Sequence, residues 1–195
     1  MTSNRHRVMT GEATPYYLFH PHAAKRIKYS CPNSKIIIML RNPIDRAFSH
    51  YRYHVKLKAE GLSFEEAIEA EPHRLQGELE MMLKDEYYSS KNYKLYSYLK
   101  RGVYIEQIKR WYDLFPAEQI LVIKSEDFFS NTEKSFNKVL EFLGLPKHAL
   151  ASYKTFNIGK ETAMEQEVRS LLADYFRPYN QELFDYLGKD FGWDR

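Results

Sequence analysis

A chain of 195 residues, 44% hydrophobic and 28% charged, is long enough for one globular domain with a sizeable core, here taken as residues 1–195. Its 29 basic and 26 acidic residues leave a formal charge of +3 without any dense Lys/Arg block, which argues against nucleic-acid binding and fits one local positive pocket. The single cysteine, Cys31, excludes an internal disulfide and a cysteine metal cluster. No apolar run approaches the roughly 20 residues of a membrane span, and the N-terminus lacks a signal-peptide core, so a cytoplasmic protein is expected.

Taken in order, residues 1–11 read as a polar lead-in and Glu12–Phe19 as an extended segment with a turn proline. Pro21–Ser30 suits a short helix with Lys25, Arg26 and Lys28 exposed. The uninterrupted run Ile36, Ile37, Ile38, Met39, Leu40 suits a strand buried on both faces, as in a parallel sheet. At Arg41 the pattern breaks. Asn42 is a good N-cap and Pro43 a good first helical residue, so a helix runs to about Lys58 with the stripe Ile44, Ala47 or Phe48, Tyr51 and Val55. A strand feeding a helix N-terminus, with an arginine at the junction, favours an anion.

Gly61 stops that helix, and Ser63 to Glu66 has capping-box spacing for the next. Helical character continues through Ala70, and a charged amphipathic stretch follows Pro72 to about Asp85. The tyrosine-rich span Tyr87–Leu99 has no clean period and reads as a loop lining a crevice. Val103–Phe115 predicts a helix stopped by Pro116, and Gln119–Lys124 a second buried strand. Ser130 to Glu133 repeats the capping-box spacing before a helix presenting Phe136, Val139, Leu140 and Leu143. Residues 151–163 are irregular, Glu165–Phe176 is helical, and Pro178 begins a last helix through Leu187. Two apolar strands among several helices give an α/β class, with too few strands for a complete doubly wound sheet.

Arg41 and Ser49 are the strongest functional candidates. A guanidinium makes forked, charge-assisted hydrogen bonds to phosphate oxygens, and a serine hydroxyl adds another. On their own they read equally as an arginine paired with Asp45 and a serine on a polar face. The surrounding sequence changes that. RNPIDRAFSHYRYH after KIIIML resembles the 3′-phosphate-binding motif of sulfotransferases that use 3′-phosphoadenosine 5′-phosphosulfate (PAPS), a strand followed by Arg-x-Pro-x-x-Arg-x-x-Ser and an aromatic. Arg41, Pro43, Arg46, Ser49 and Tyr51 occupy those positions. GEATPYYLFHPHAAKRIK, RGVYIEQIKRWYDLFPAEQILVIKSEDF, NTEKSFNKVLEFLGLP and RPYNQELFDYLGKDFGW resemble successive segments of the heparan-sulfate-type and bacterial branch, so the likeness covers nearly the whole chain.

The resemblance implies a P-loop-NTPase-like parallel sheet flanked by helices, and sulfuryl transfer from PAPS to a hydroxyl or amine acceptor such as a carbohydrate or small metabolite, without a metal. It implies that Arg41 and Ser49 grip the donor's 3′-phosphate. The family's Gly-x-x-Lys-x-Gly-Thr-Thr loop, which holds the 5′-phosphosulfate, is not found in this sequence, nor is the base that follows it. The expectation is a sulfotransferase domain lacking roughly 60 N-terminal residues, with an open sheet edge that favours self-association. A non-catalytic nucleotide-binding remnant is the competing reading. The family's Lys-Gly-Arg loop is not matched in Phe156–Met164, where Lys160 is the candidate nucleotide contact.

Other residues carry weaker readings. Glu12 suits an acceptor contact or, with a raised pKa, a general base. His50 and His54 are at i, i+4, which suits a metal only with a further ligand, and otherwise pocket lining. Tyr104, just after Gly102, is a candidate for approaching the nucleotide, and Trp111 for packing. Arg101 reads as an exposed arginine, or one that meets an anionic acceptor.

Overall fold

The structure, a computed structural model, describes residues 9–150, 152 and 163–193. Two strands, β1 (Ile36–Leu40) and β2 (Ile120–Lys124), pair in parallel from Ile36 opposite Ile120 to Leu40 opposite Lys124. Before them comes α1 (Ala23–Ser30), shorter than Pro21–Ser30 because the chain is still turning at His20 and Pro21. Between the strands lie α2 (Pro43–Lys56), α3 (Phe64–Leu75), α4 (Glu78–Lys84), α5 (Lys91–Leu95) and α6 (Tyr104–Tyr112). After them follow α7 (Ser125–Ser130), α8 (Thr132–Leu143) and α9 (Gln166–Leu187). This is the expected α/β arrangement, a parallel sheet flanked by helices.

Strand β1 is covered on one face. Ile38 and Leu40 are buried in a core shared with Ile44 and Ala47 of α2, Ile105 and Ile108 of α6, and Leu172, Phe176 and Leu183 of α9. Ile37 and Met39 are 39% and 47% exposed, which corrects the expectation of a strand buried on both faces. The β-branched run reports strand propensity and not which layers cover it: beside the exposed Met39, its β2 partner Ile123 is buried.

Several helices differ from their sequence signals because packing outweighs local punctuation. α3 continues through Pro72 to Leu75, and α9 is one 22-residue helix with Pro178 inside it. Pro178 forgoes one backbone hydrogen bond, but Leu172 and Phe176 before it and Leu183 and Phe184 after it are all buried on the same core, which offsets that loss. The Ser63–Glu66 capping box forms in both directions. The one expected at Ser130 does not: Ser130 ends α7, its hydroxyl donating to the Asp127 carbonyl, and Asn131 caps α8 by accepting from the Lys134 amide. Only Leu140 of the expected α8 stripe is fully buried. At the end of α2 the buried side turns to His54, leaving Val55 42% exposed.

The tyrosine-rich span is largely core rather than crevice loop. Ser90 caps α5, Tyr93 stacks on Phe19 with centroids 4.4 Å apart, and Tyr98 is fully buried. Period-based reading misses it because short turns alternate with the helix. Tyr98 donates at 2.9 Å to Glu60, a carboxylate that also accepts two bonds from Arg74 and the amides of Gly61 and Leu62. Burial disfavours the charge, but the Arg74, Leu62 and Tyr98 hydrogen bonds outweigh it and hold the Glu60 pKa down at about 2. Glu71 of α3 accepts from the amides of Leu99 and Lys100, fixing the tight turn Lys100–Gly102 that starts α6.

Gly102 sits where α2, α6 and α9 converge. A β-carbon there would lie 2.8 Å from the Phe176 ring and 3.1 Å from the Pro43 β-carbon. Gly102→Ala is therefore expected to cost about 1–3 kcal/mol by overpacking. Chemical denaturation should show a lower midpoint at unchanged slope, and an unchanged midpoint would mean the junction yields freely.

Candidate functional site

The chain leaves the sheet at Leu40, fully buried, and at Arg41 it reaches solvent. Asn42 caps α2, its side-chain oxygen accepting from the amides of Ile44 (2.9 Å) and Asp45 (3.4 Å), with Pro43 as first helical residue. Those amides are therefore already engaged. The Asn42 amide is engaged too, donating to Glu126 Oε1 at 2.7 Å. The expectation that bare helix amides receive an anion is corrected: an anion here must be held by side chains.

Arg41 and Ser49 both present their side chains to solvent, one at the strand's end and the other in the second turn of α2. Asp45 pairs with Arg169 of α9, so the alternative in which Asp45 neutralises Arg41 does not hold. Arg41 makes no ion pair among the described residues. A shallow cleft of about 300 Å³, lined by Phe48, Tyr51, Arg52, Val55 and Lys56, runs along α2 just beyond Ser49.

The remaining motif positions are structural. Arg46 turns inward and donates to the Tyr98 carbonyl; burial lowers its pKa. Tyr51 donates to the Leu62 carbonyl at 2.9 Å and stacks beside Phe48. Tyr104 is 4% exposed and donates to the Arg41 carbonyl at 2.9 Å, so it meets the backbone that carries Arg41 rather than lying open to a nucleotide. Trp193 packs beside it, with ring centroids 5.9 Å apart. Arg101 is not an exposed arginine: its guanidinium lies over Tyr16 and Phe19 and donates to the Lys94 carbonyl. Burial and the nearby Arg46 charge lower its pKa to about 10.

The other candidates separate. Glu12 is exposed and accepts from the Thr14 hydroxyl. His22 bonds the Met82 carbonyl at 2.6 Å, and His20 accepts from the His22 amide. Cys31 is exposed. Trp111 is core, its indole donating to the Leu18 carbonyl. His50 and His54 pack ring against ring at 4.6 Å, and no group of three metal-ligating side chains occurs among the described residues. Lys160 lies outside the described residues.

Sequence reasoning missed Glu126, Glu60 and Glu71, acids whose partners are 84, 14 and 28 residues away or more locally placed in turns. No local spacing marks them.

Comparison with known proteins now adds a family. Residues 14–182 match the sulfotransferase domain family. The chain is 27% identical to the membrane-associated sulfotransferase kil1 of Dictyostelium discoideum, over 98% of this chain and 55% of that protein. It is 26% identical to heparan sulfate glucosamine 3-O-sulfotransferase 3B1 of Mus musculus, over 95% of this chain and 50% of that one. It thus spans about half the length of these curated relatives. A crystal structure of a sulfotransferase from Alicyclobacillus acidocaldarius superposes with a TM-score of 0.76 at 33% identity, covering 95% of this chain and 67% of that one. No helix among the described residues is long and apolar enough to cross a membrane.

His50 makes the stability of the fold depend on pH. Burial, with the charges of Arg101, Arg46 and His54 around it, lowers its pKa to about 2. A lowered histidine pKa means the unfolded chain binds the proton first, so stability is full above about pH 6.5 and falls below it. At pH 5 this costs up to about 2 kcal/mol. His50→Gln should flatten the fall in melting temperature between pH 7 and 5; an identical fall would place the titration elsewhere. With the domain match spanning 14–182 and the fold shared with the bacterial enzyme, the chain belongs to the sulfotransferase family.

Proposed function

We propose that the chain transfers a sulfuryl group from PAPS to a hydroxyl or amine acceptor, with Arg41 and Ser49 holding the donor's 3′-phosphate. The acceptor heteroatom attacks sulfur in line, the bond from sulfur to the 5′-phosphate oxygen breaks, and adenosine 3′,5′-bisphosphate leaves. The acceptor's proton passes to a base.

The observation that carries the reading is Arg41 itself. It is a guanidinium delivered to solvent at the end of a parallel strand, without an ion pair among the described residues, in a chain of this family. Arginine there suits a dianionic phosphate because its guanidinium offers two parallel donors. Ser49 adds a hydroxyl from α2. A heparan sulfate glucosamine 3-O-sulfotransferase among the relatives carries a sugar hydroxyl in its name, which favours a carbohydrate hydroxyl as acceptor.

Calorimetry with adenosine 3′,5′-bisphosphate tests the binding. Arg41→Ala is expected to weaken it about 10- to 100-fold, the loss of a charge-assisted pair of hydrogen bonds. Ser49→Ala is expected to weaken it less, by about tenfold or below. Equal binding by wild type and Arg41→Ala would remove the assignment. The second reading is a protein that binds the nucleotide without transferring sulfate. Transfer of labelled sulfate from PAPS to an added acceptor separates the two: binding without transfer selects the second.

A further inference from the structure

The peptide unit between Arg41 and Asn42 is gripped at both ends. Its carbonyl accepts the Tyr104 hydroxyl at 2.9 Å, and its N–H donates to Glu126 Oε1 at 2.7 Å. The two partners come from different elements, Tyr104 from the first turn of α6 and Glu126 from α7, directly after β2. Because this peptide carries the carbonyl carbon of Arg41, shifting it would move the Arg41 Cα, the point from which the side chain leaves the strand. Neither bond can persist if the peptide turns.

The arrangement is costly for a purely architectural device. Tyr104 is buried, and the second Glu126 oxygen is buried without a hydrogen-bond partner among the described residues. A carboxylate satisfied on one side only disfavours folding and asks for another reason to be there. The Asn42 side chain already caps α2, so the helix start does not need Glu126 for its own amides. What the two bonds do fix is the residue in front of the helix.

We infer that Tyr104 and Glu126 are positioning residues that clamp the Arg41–Asn42 peptide and so aim the Arg41 guanidinium at the 3′-phosphate of the bound nucleotide. This rests on the assignment of Arg41 to that phosphate. A preset side chain loses less rotamer freedom on binding, and residues that orient a ligand-contacting group commonly account for about 10- to 100-fold of the affinity.

Calorimetry with adenosine 3′,5′-bisphosphate on the full chain tests it. Tyr104→Phe and Glu126→Ala should each weaken binding about tenfold. Glu126→Gln, which keeps an acceptor oxygen facing the Asn42 N–H, should bind close to wild type. Tyr98→Phe is the control: it removes another buried hydroxyl bond, to Glu60, away from this peptide, and should lower the melting temperature without changing affinity. If Tyr104→Phe and Glu126→Ala bind as wild type does, or if Tyr98→Phe weakens binding equally, the clamp is refuted. If Arg41→Ala itself binds normally, the phosphate assignment falls instead, and the clamp with it.

Discussion

The parallel register of β1 on β2 is the constraint from which the rest follows. Leu40 stands opposite Lys124, so the residues two further on, Asn42 and Glu126, arrive beside one another as both strands end. Parallel strands carry their chains out at the same edge, which is why functional groups in α/β folds gather beyond the carboxyl ends of strands. In this protein that edge receives the start of α2, the start of α7, and Tyr104 from the start of α6. A slip of one residue would separate Asn42 from Glu126 and turn Ile38 and Leu40 away from the core.

Around this edge the interior is built from charge as much as from hydrocarbon. Glu60 is fully matched: Arg74, Tyr98 and two amides surround it. The neighbouring cations are not. The buried nitrogens Nε of Arg46 and Arg101 and Nδ1 of His50 and His54 have no hydrogen-bond partner among the described residues. The protein meets this imbalance by keeping His50 neutral and by spreading Arg101 over aromatic faces, where ring quadrupoles replace part of the lost hydration. Glu71 faces the same region with its carboxyl pKa raised by burial, although backbone amides and the Arg46 charge oppose that. Charge is thus neutralised in a pair at Glu60 and minimised residue by residue around His50 and Arg101.

How much of this could be read from the sequence depends on range. The strand–cap–helix signal at Ile36–Pro43 is local, and it was read correctly because Asn42 and Pro43 act on their immediate neighbours. The capping box at Ser63 was legible for the same reason. Burial of β1 is not legible, because an uninterrupted apolar run says nothing about which layers exist to cover it. The split of α9 at Pro178 failed since proline's local penalty, about 3 kcal/mol, is smaller than the burial gained along the helix. Arg101, Glu60 and Tyr104 escape a sequence reading because their roles are set by partners far along the chain, Tyr16, Tyr98 and Arg41 respectively; a long charged side chain looks alike in sequence whether it crosses a surface or a core.

The engaged start of α2 also sets what kind of anion site this edge can be. A helix whose first amides are free binds anions through fixed dipoles, with little discrimination among them. Here Asn42 and Glu126 take those amides, and Glu126 brings a carboxylate to the same turn. A monoanion approaching that turn meets repulsion without a compensating set of bare N–H groups. What can be held here is a ligand with enough free oxygens to engage an arginine fork and a serine hydroxyl together, which describes a phosphate monoester better than a carboxylate or a phosphodiester. Selectivity for a terminal phosphate would then arise from occupying the generic anion site with the protein's own groups and leaving recognition to Arg41 and Ser49.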